Sequence, residues 1–407
     1  MKKFLLLALT AVSALAMAQT EETPEQKADS GFVFTTVDSV AITPIKNQHR
    51  SGTCWCFSTL GFLESEVMRL NKGKVVDFAE MFVVSHTMVD RAEYVVRMYQ
   101  NAQFAAGGSA YDVIYCLKHY GLVPQSEMPG IKYGSTPADT LPVHKELDAV
   151  ANGYVKALGR SLGKLTPVWK QGLQAVYDTY LGECPKEFVV EGKKHTPLSY
   201  AKSLNLNADD YVSITSYTHH PYSYEEGHPR FALEVPDNWR MDMMYNVPME
   251  DLMRIIDNAL DKGFTMAWGA DVSEQGFTRK GVGVIPDEEN GAQITGTDMA
   301  HWLGMDAKSK REELTKRPLP ERTITQEMRQ EAYDNWETTD DHGMQIFGRA
   351  KDQNGKIYYM IKNSWGTQGF DYNGIWYVST AFMQYKTNDI LVHKDAIPKD
   401  IRKKLGL

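Results

Sequence analysis

A chain of 407 residues with 43% hydrophobic side chains can bury one large core or two to three smaller ones. Its net charge of −8, with no helix-turn-helix, zinc-finger or other basic motif, argues against a nucleic-acid-binding protein. No repeat of roughly 20–50 residues and no low-complexity block divides the chain.

Residues 1–18 read as a signal peptide: Lys2-Lys3, an apolar run, then Ala16-Met17-Ala18 as the small-x-small cleavage site. A buried first helix or a membrane anchor is the competing reading, but the run is short for a span and a polar stretch follows at once. Export to the periplasm or beyond, with cleavage after Ala18 and no stable membrane anchor, is the expectation. Four cysteines then raise the disulfide question: Cys54, Cys56, Cys116 and Cys184. Cys54 and Cys56 point apart on a helix and do not suit a bridge to each other, and Cys56 reads as a small buried hydrophobe.

Residues 19–35 are a polar leader, and residues 33–45 are extended in pattern. At Gln48-His49-Arg50-Ser51-Gly52-Thr53-Cys54-Trp55 a loop gives way to a helix, with Trp55, Leu60, Leu63, Val67 and Leu70 on its apolar face and Asn71-Lys72-Gly73 closing it. Cys54 then sits in the first turn, where unpaired N–H groups and the dipole favour a thiolate. Gln48 offers an amide donor beside it, so a backbone N–H and a side chain converge as an oxyanion hole requires. Residues 80–103 and 109–120 read as helices, with Gly107-Gly108 between them, and residues 149–180 read as a further helical stretch.

Residues 210–230 are rich in Tyr, His and Pro. His219-His220 and His228 sit among turn formers without regular ligand spacing, so hydrogen-bonded histidines in a loop are expected and no metal. Residues 251–262 form an amphipathic helix and 264–272 alternate like a strand. Residues 276–330 read as mostly surface. Residues 345–348 and 356–361 read as a hairpin about Asp352-Gln353-Asn354-Gly355. Folding it brings His342 opposite the neighbourhood of Asn363. A thiol nucleophile needs a base, and the base an orienting group; His342 and Asn363 supply both. Residues 374–385 read as a closing strand.

Three segments carry a family resemblance: Gln48 to Cys54-Trp55, Thr339-Asp340-Asp341-His342-Gly343-Met344, and Asn363-Ser364-Trp365-Gly366. Together they resemble the papain-like cysteine peptidases of the bleomycin hydrolase and aminopeptidase C branch, over about residues 36–395. The resemblance implies an α+β, two-lobed fold with a helical left lobe, a β-barrel-like right lobe and a large insertion between them. The parts fall at 36–130 for the left lobe with the nucleophile helix, 131–240 for the insertion, 241–395 for the right lobe and 396–407 for a C-terminal arm. It further implies Gly107 and Gly108 as a wall for substrate backbone, a simple loop and helix start being the alternative. The arm has two readings: its terminal carboxylate, on Leu407, holds a substrate's α-amine in the cleft, or it is a solvated basic tail. The partners implied are peptides and further copies of this chain, the branch commonly forming hexamers. No cofactor is implied.

The activity expected is exported cysteine aminopeptidase, with Cys54, His342 and Asn363 carrying a thioester mechanism and Gln48 the oxyanion. A secreted papain-type endopeptidase shares every one of these residues. A non-catalytic peptide-binding protein on the same scaffold is the reading from another class.

Overall fold

A computed structural model describes residues 31–133, 144–160, 163–287 and 304–407, so the expected signal peptide and most of the polar leader lie outside the described residues. The first strand, β1 (Thr35–Ser39), leads through an extended loop to α1 (Cys54–Leu70). Nearly all of α1 is buried, because it lies between the two lobes and has a neighbour on every side. Beside it pack α2 (Glu80–Arg97) and α3 (Ala110–His119). The sequence pattern ran α2 on to residue 103. The helix instead stops at Arg97, because Tyr99 and Gln100 turn into the left-handed region (φ 53° and 68°).

What reads as one helix over 149–180 is two, α4 (Lys145–Leu158) and α5 (Val168–Leu181), with Pro167 as the N-cap of the second. The short hairpin β2 (Phe188–Val190) and β3 (Lys193–His195) and helix α6 (Pro197–Ser203) complete a helical lobe. Its core runs from Trp55, Leu60 and Leu63 through Phe82, Leu147 and Leu173 to Tyr200.

The second lobe is built on one mixed sheet. In chain order it takes β4 (Tyr211–Thr215), β5 (Arg230–Ala232), β6 (Met243–Asn246), helix α7 (Met249–Asp261), β7 (Met266–Ala270), and the two-residue strands β8 (Phe277–Thr278) and β9 (Val282–Gly283). Helices α8 (Ala307–Glu313) and α9 (Gln326–Asp334) precede β10 (His342–Lys351), β11 (Ile357–Lys362) and β12 (Ile375–Ser379). The chain closes with α10 (Thr380–Lys386), β13 (Thr387–His393) and α11 (Lys399–Lys404).

The strand order is β5-β6-β4-β13-β7-β10-β11-β12-β9-β8, with β1 added on β10. The fold is the α+β two-lobed one expected, but the sheet is open: its end strands β5 and β8 are not neighbours, so the barrel-like right lobe expected from the resemblance is not closed. Leu252, Ile255, Ile256 and Ala259 of α7 bury one helix face in the core of this lobe.

Two further expectations change. The closing strand expected over 374–385 ends at Ser379, whose hydroxyl accepts from Phe382 N–H at 3.2 Å and caps α10. Residues 276–330, read as mostly surface, contribute Val282, Val284, Ile285, Leu314 and Ile324 to buried clusters. The hairpin holds as read: Asp352 Oδ1 accepts from both Asn354 N–H and Lys356 N–H at 2.9 Å, fixing the turn between β10 and β11. Among the described residues no helix is long and apolar enough to cross a membrane.

Candidate active site

Cys54 is the first residue of α1, so its N–H has no carbonyl partner within the helix and stays available to a ligand. His342 is the first residue of β10, which runs against α1. The close approach depends on Gly343. A methyl group there would lie 2.8 Å from Ser58 Oγ and 3.1 Å from Trp55 Cα, so a side chain would push the histidine strand off the nucleophile helix. Gly343 N–H donates to the Cys54 sulfur, and Cys54 and His342 line one cavity.

His342 Nε2 lies 2.8 Å from Asn363 Oδ1, as the hairpin reading required. Asn363 sits just past the end of β11, and β10–β11 pairing (Gln345 with Lys362) sets the register that brings the two together. The Trp365 ring lies over His342, with centroids 4.8 Å apart, and screens that contact from water. Gln48 is buried and fixed by Ser364: its N–H donates to the Ser364 carbonyl at 2.8 Å, and its Oε1 accepts from the Ser364 hydroxyl at 2.6 Å. With Oε1 occupied, the Nε2 donors are what Gln48 has left to offer.

Burial disfavours charge on both members of the pair. It pushes the Cys54 thiol up to about 11, against the pull of the Gly343 and Trp55 N–H groups, with Asp237 and Asp340 adding in the same direction as burial. Burial lowers His342 to about 4, with the Asn363 contact and Asp341 opposing it. The helix N-terminus, expected to favour a thiolate, and burial, which favours the thiol and the neutral imidazole, act in opposite directions on this pair.

Of the two glycines expected as a substrate wall, Gly108 lines the cavity beside Cys54 and Gly107 lies under a neighbour the sequence did not reveal. Asp237 lies directly over Gly107, where any side chain would collide with its carboxylate. Gly108 lies against Trp55 and Asp112 and lines the cavity. Arg91, fully buried, ties the two walls together: it donates to the Gln103 carbonyl at 3.1 Å and the Gly107 carbonyl on one side, and to the Pro236 carbonyl at 3.4 Å on the other. Arg240 clamps the same segment to the helical lobe through Asp112 at 2.6 Å and Asp90 at 2.7 Å, lying over the rings of Tyr115 and Trp239.

Leu407 does not enter this cleft. The arm expected there folds as α11 against the right-lobe core, with Ile401 and Leu405 buried, and Leu407 N–H donates to the Arg402 carbonyl at 3.1 Å. It is therefore neither a cleft-blocking arm nor a solvated tail. The alternation of Ile401 and Leu405 at helical spacing was the available signal.

Among the described residues, the cavity beside Cys54 is lined by Asp237, Asp340, Asp341 and Asp389 and by no lysine or arginine, the buried Arg91 lying behind Asp237 at 3.7 Å. Asp340 accepts from Asp237 N–H; burial, and then the charges of Asp237 and Asp389, hold it well above the usual carboxylate range. Burial, with Asp242 adding, pushes Asp389 up to about 7. Asp341 turns away to Ser273 N–H at 2.9 Å and the Thr339 hydroxyl at 2.8 Å. As the described residues bound it, this cavity has a volume of about 40 Å³. On the other side of the centre, beside Trp365, a cavity of about 560 Å³ is lined by His49, Arg50, Phe277, Arg279, Arg311 and others.

All four cysteines are free thiols, and Cys56 is buried with its sulfur 3.4 Å from the Glu80 carbonyl. Among the described residues one group could hold a metal ion: His219, His220 and Glu234, whose ligand atoms lie within 4.8 Å of one another. There each histidine Nε2 meets one Glu234 oxygen, at 3.1 Å and 3.0 Å.

The chain matches the family described as Peptidase C1-like family over residues 2–287. It belongs to that family. Curated relatives of this C1-like peptidase include Aminopeptidase G of Lactobacillus delbrueckii subsp. lactis, 25% identical over 392 residues, covering 88% of this chain and 82% of the relative. Aminopeptidase E of Lactobacillus helveticus is 24% identical over 385 residues, covering 86% and 81%. A solved structure of PepW from Lactobacillus rhamnosis HN001 (DR20) matches the fold with a TM-score of 0.66 at 18% identity, over 91% of this chain and 84% of that one. The fold is thus papain-like, and the C1-like peptidase is a cysteine peptidase.

Proposed function

We propose that this peptidase removes residues from the free N-terminus of peptides through a thioester on Cys54. The observation that carries the reading is the asymmetry of the cleft. The small cavity beside Cys54 is acidic and is closed over Gly107 by Asp237, whereas the larger one lies beyond His342 and Trp365. A cramped, acidic acyl side suits one residue with its α-ammonium; a roomy leaving side suits the rest of the peptide. The names of the relatives, aminopeptidases G and E, agree with this.

The chemistry follows from the side chains. Neutral His342 takes the proton from Cys54 as the sulfur attacks the scissile carbonyl carbon. The Cys54 N–H and Gln48 Nε2 hold the oxyanion. His342 then gives its proton to the leaving amine, the C–N bond breaks, and the thioester remains. Water, giving a proton to His342, attacks the thioester; the carboxylate product leaves and Cys54 recovers its proton. Asn363 keeps the imidazole oriented through these transfers. The Lys2-Lys3 start, apolar run and Ala16-Met17-Ala18 support export, which N-terminal sequencing of the mature protein checks.

The test compares a free-amine peptide with its N-acetylated twin, with Cys54→Ala as control. Cleavage of the free-amine peptide alone is expected. Equal cleavage of both marks an endopeptidase. No cleavage of either, unchanged by Cys54→Ala, favours a peptide-binding protein on this scaffold.

A further inference from the structure

The cavity beside Trp365 has a chemical character of its own. Three arginines reach it from three separate segments: Arg50 from the loop before the nucleophile, Arg279 from the turn between β8 and β9, and Arg311 from α8. Among the described residues none of the three has an ion-pair partner. The one acidic residue lining the cavity among the described residues, Glu274, is taken by Lys386 at 3.1 Å. The helix carrying Arg311 is tied to the cavity wall, since Gln275 Nε2 donates to the Ala307 carbonyl at 3.2 Å. The apolar floor is Phe277, Trp365 and Phe370. At about 560 Å³ the space lies within the usual size of a site for a small ligand.

Arginines with unfilled donors around an apolar floor suit a carboxylate on a short organic chain, which the guanidinium fork can take in two parallel hydrogen bonds. The leaving half of a substrate passes this way, because His342 protonates the leaving amine and Trp365 covers His342. We infer that Arg50, Arg279 and Arg311 form a subsite for the free C-terminal carboxylate of a short peptide, so that the enzyme favours small peptides carrying both free ends. This rests on the N-terminal reading above for the direction in which the substrate lies.

The experiment measures kcat/KM for one short peptide in four forms: both ends free, C-terminally amidated, N-acetylated, and blocked at both ends. Wild type and Arg279→Gln/Arg311→Gln are compared, with thermal unfolding as a check on folding and the single variants as a second set should the double variant unfold. The acid-to-amide ratio is read within each enzyme, so a general loss of activity cancels. A ratio of about tenfold or more is expected in the wild type, residing in KM, shrinking with added salt and falling toward one in the variants. A wild-type ratio near one, or one the variants leave unchanged, overturns the subsite. Equal cleavage of acetylated and free-amine peptides with the acid-to-amide ratio intact overturns the N-terminal reading and leaves the subsite standing.

Discussion

The two sides of the cleft differ in charge, in size and in how they are built. Beside Cys54 the wall is double: the Gly107-Gly108 loop of the helical lobe faces Asp237, and Arg91 holds both. Among the described residues the acidic groups lining that side are four carboxyls, and burial keeps two of them far from their ordinary ionisation. Beside Trp365 the charges are exposed arginines on separate segments and a Glu274 already paired with Lys386, around a space more than ten times larger. Asp237 has the buried Arg91 guanidinium 3.7 Å away and burial favours the uncharged form of Asp340 and Asp389, whereas exposed arginines cost little and act through attraction of an anion. On the two readings proposed above, one side takes the substrate's ammonium and the other its carboxylate.

The largest expected effect is common to both sides. Cys54→Ala or His342→Ala lowers kcat by on the order of 10⁴-fold or more with either free or blocked peptides, measured by single-turnover hydrolysis. Gln48→Ala costs about 10²–10³-fold in kcat, as loss of one oxyanion donor does. Retention of full activity in any of these variants breaks the assigned mechanism.

Asp237→Asn is expected to narrow the preference for a free amine over an acetylated one by about tenfold while leaving the acid-to-amide ratio alone, since it alters one side only. A change in both ratios would join the two sides into one site. Arg240→Met strips the buried Asp112 of its main partner, and burial already raises Asp112 to about 6. Breaking such a pair costs about 3–5 kcal/mol, read by denaturant unfolding.

The pH dependence has a definite sign. His342 is lowered to about 4 in the fold, below the value of an unfolded histidine, so protonation opposes the native state as pH falls from about 6.5 through 4. The acid limb of kcat/KM is accordingly expected near pH 4. Alkylation of Cys54 by iodoacetamide in the free enzyme should climb toward pH 11, where burial places the thiol. A plateau reached below pH 7 would show a resting thiolate–imidazolium pair instead.

The juxtaposition of the candidate residues was legible because each member sits at an element boundary with strong local signals. The helix pattern starting at Cys54 and the Asp352–Gly355 turn fix where Cys54, His342 and Asn363 must fall, and short-range hydrogen bonding is enough to set both. The extent of α2 and the break between α4 and α5 were misread, since left-handed residues such as Tyr99 and Gln100 leave no periodic trace. Ser364 as the anchor of Gln48 was within reach, lying in the Asn363-Ser364-Trp365-Gly366 segment.

What the sequence alone determined was the candidate set: which thiol, which imidazole and which amides the fold would bring to one centre. Only the tertiary structure decided the shape and charge of the cleft. Asp237 meets Gly107 across 130 residues of chain, Asp389 comes from a central strand not foreseen, and α11 buries Ile401 and Leu405 where an arm was expected. Those placements depend on which surfaces bury one another, a property of the packed lobes that no local pattern carries.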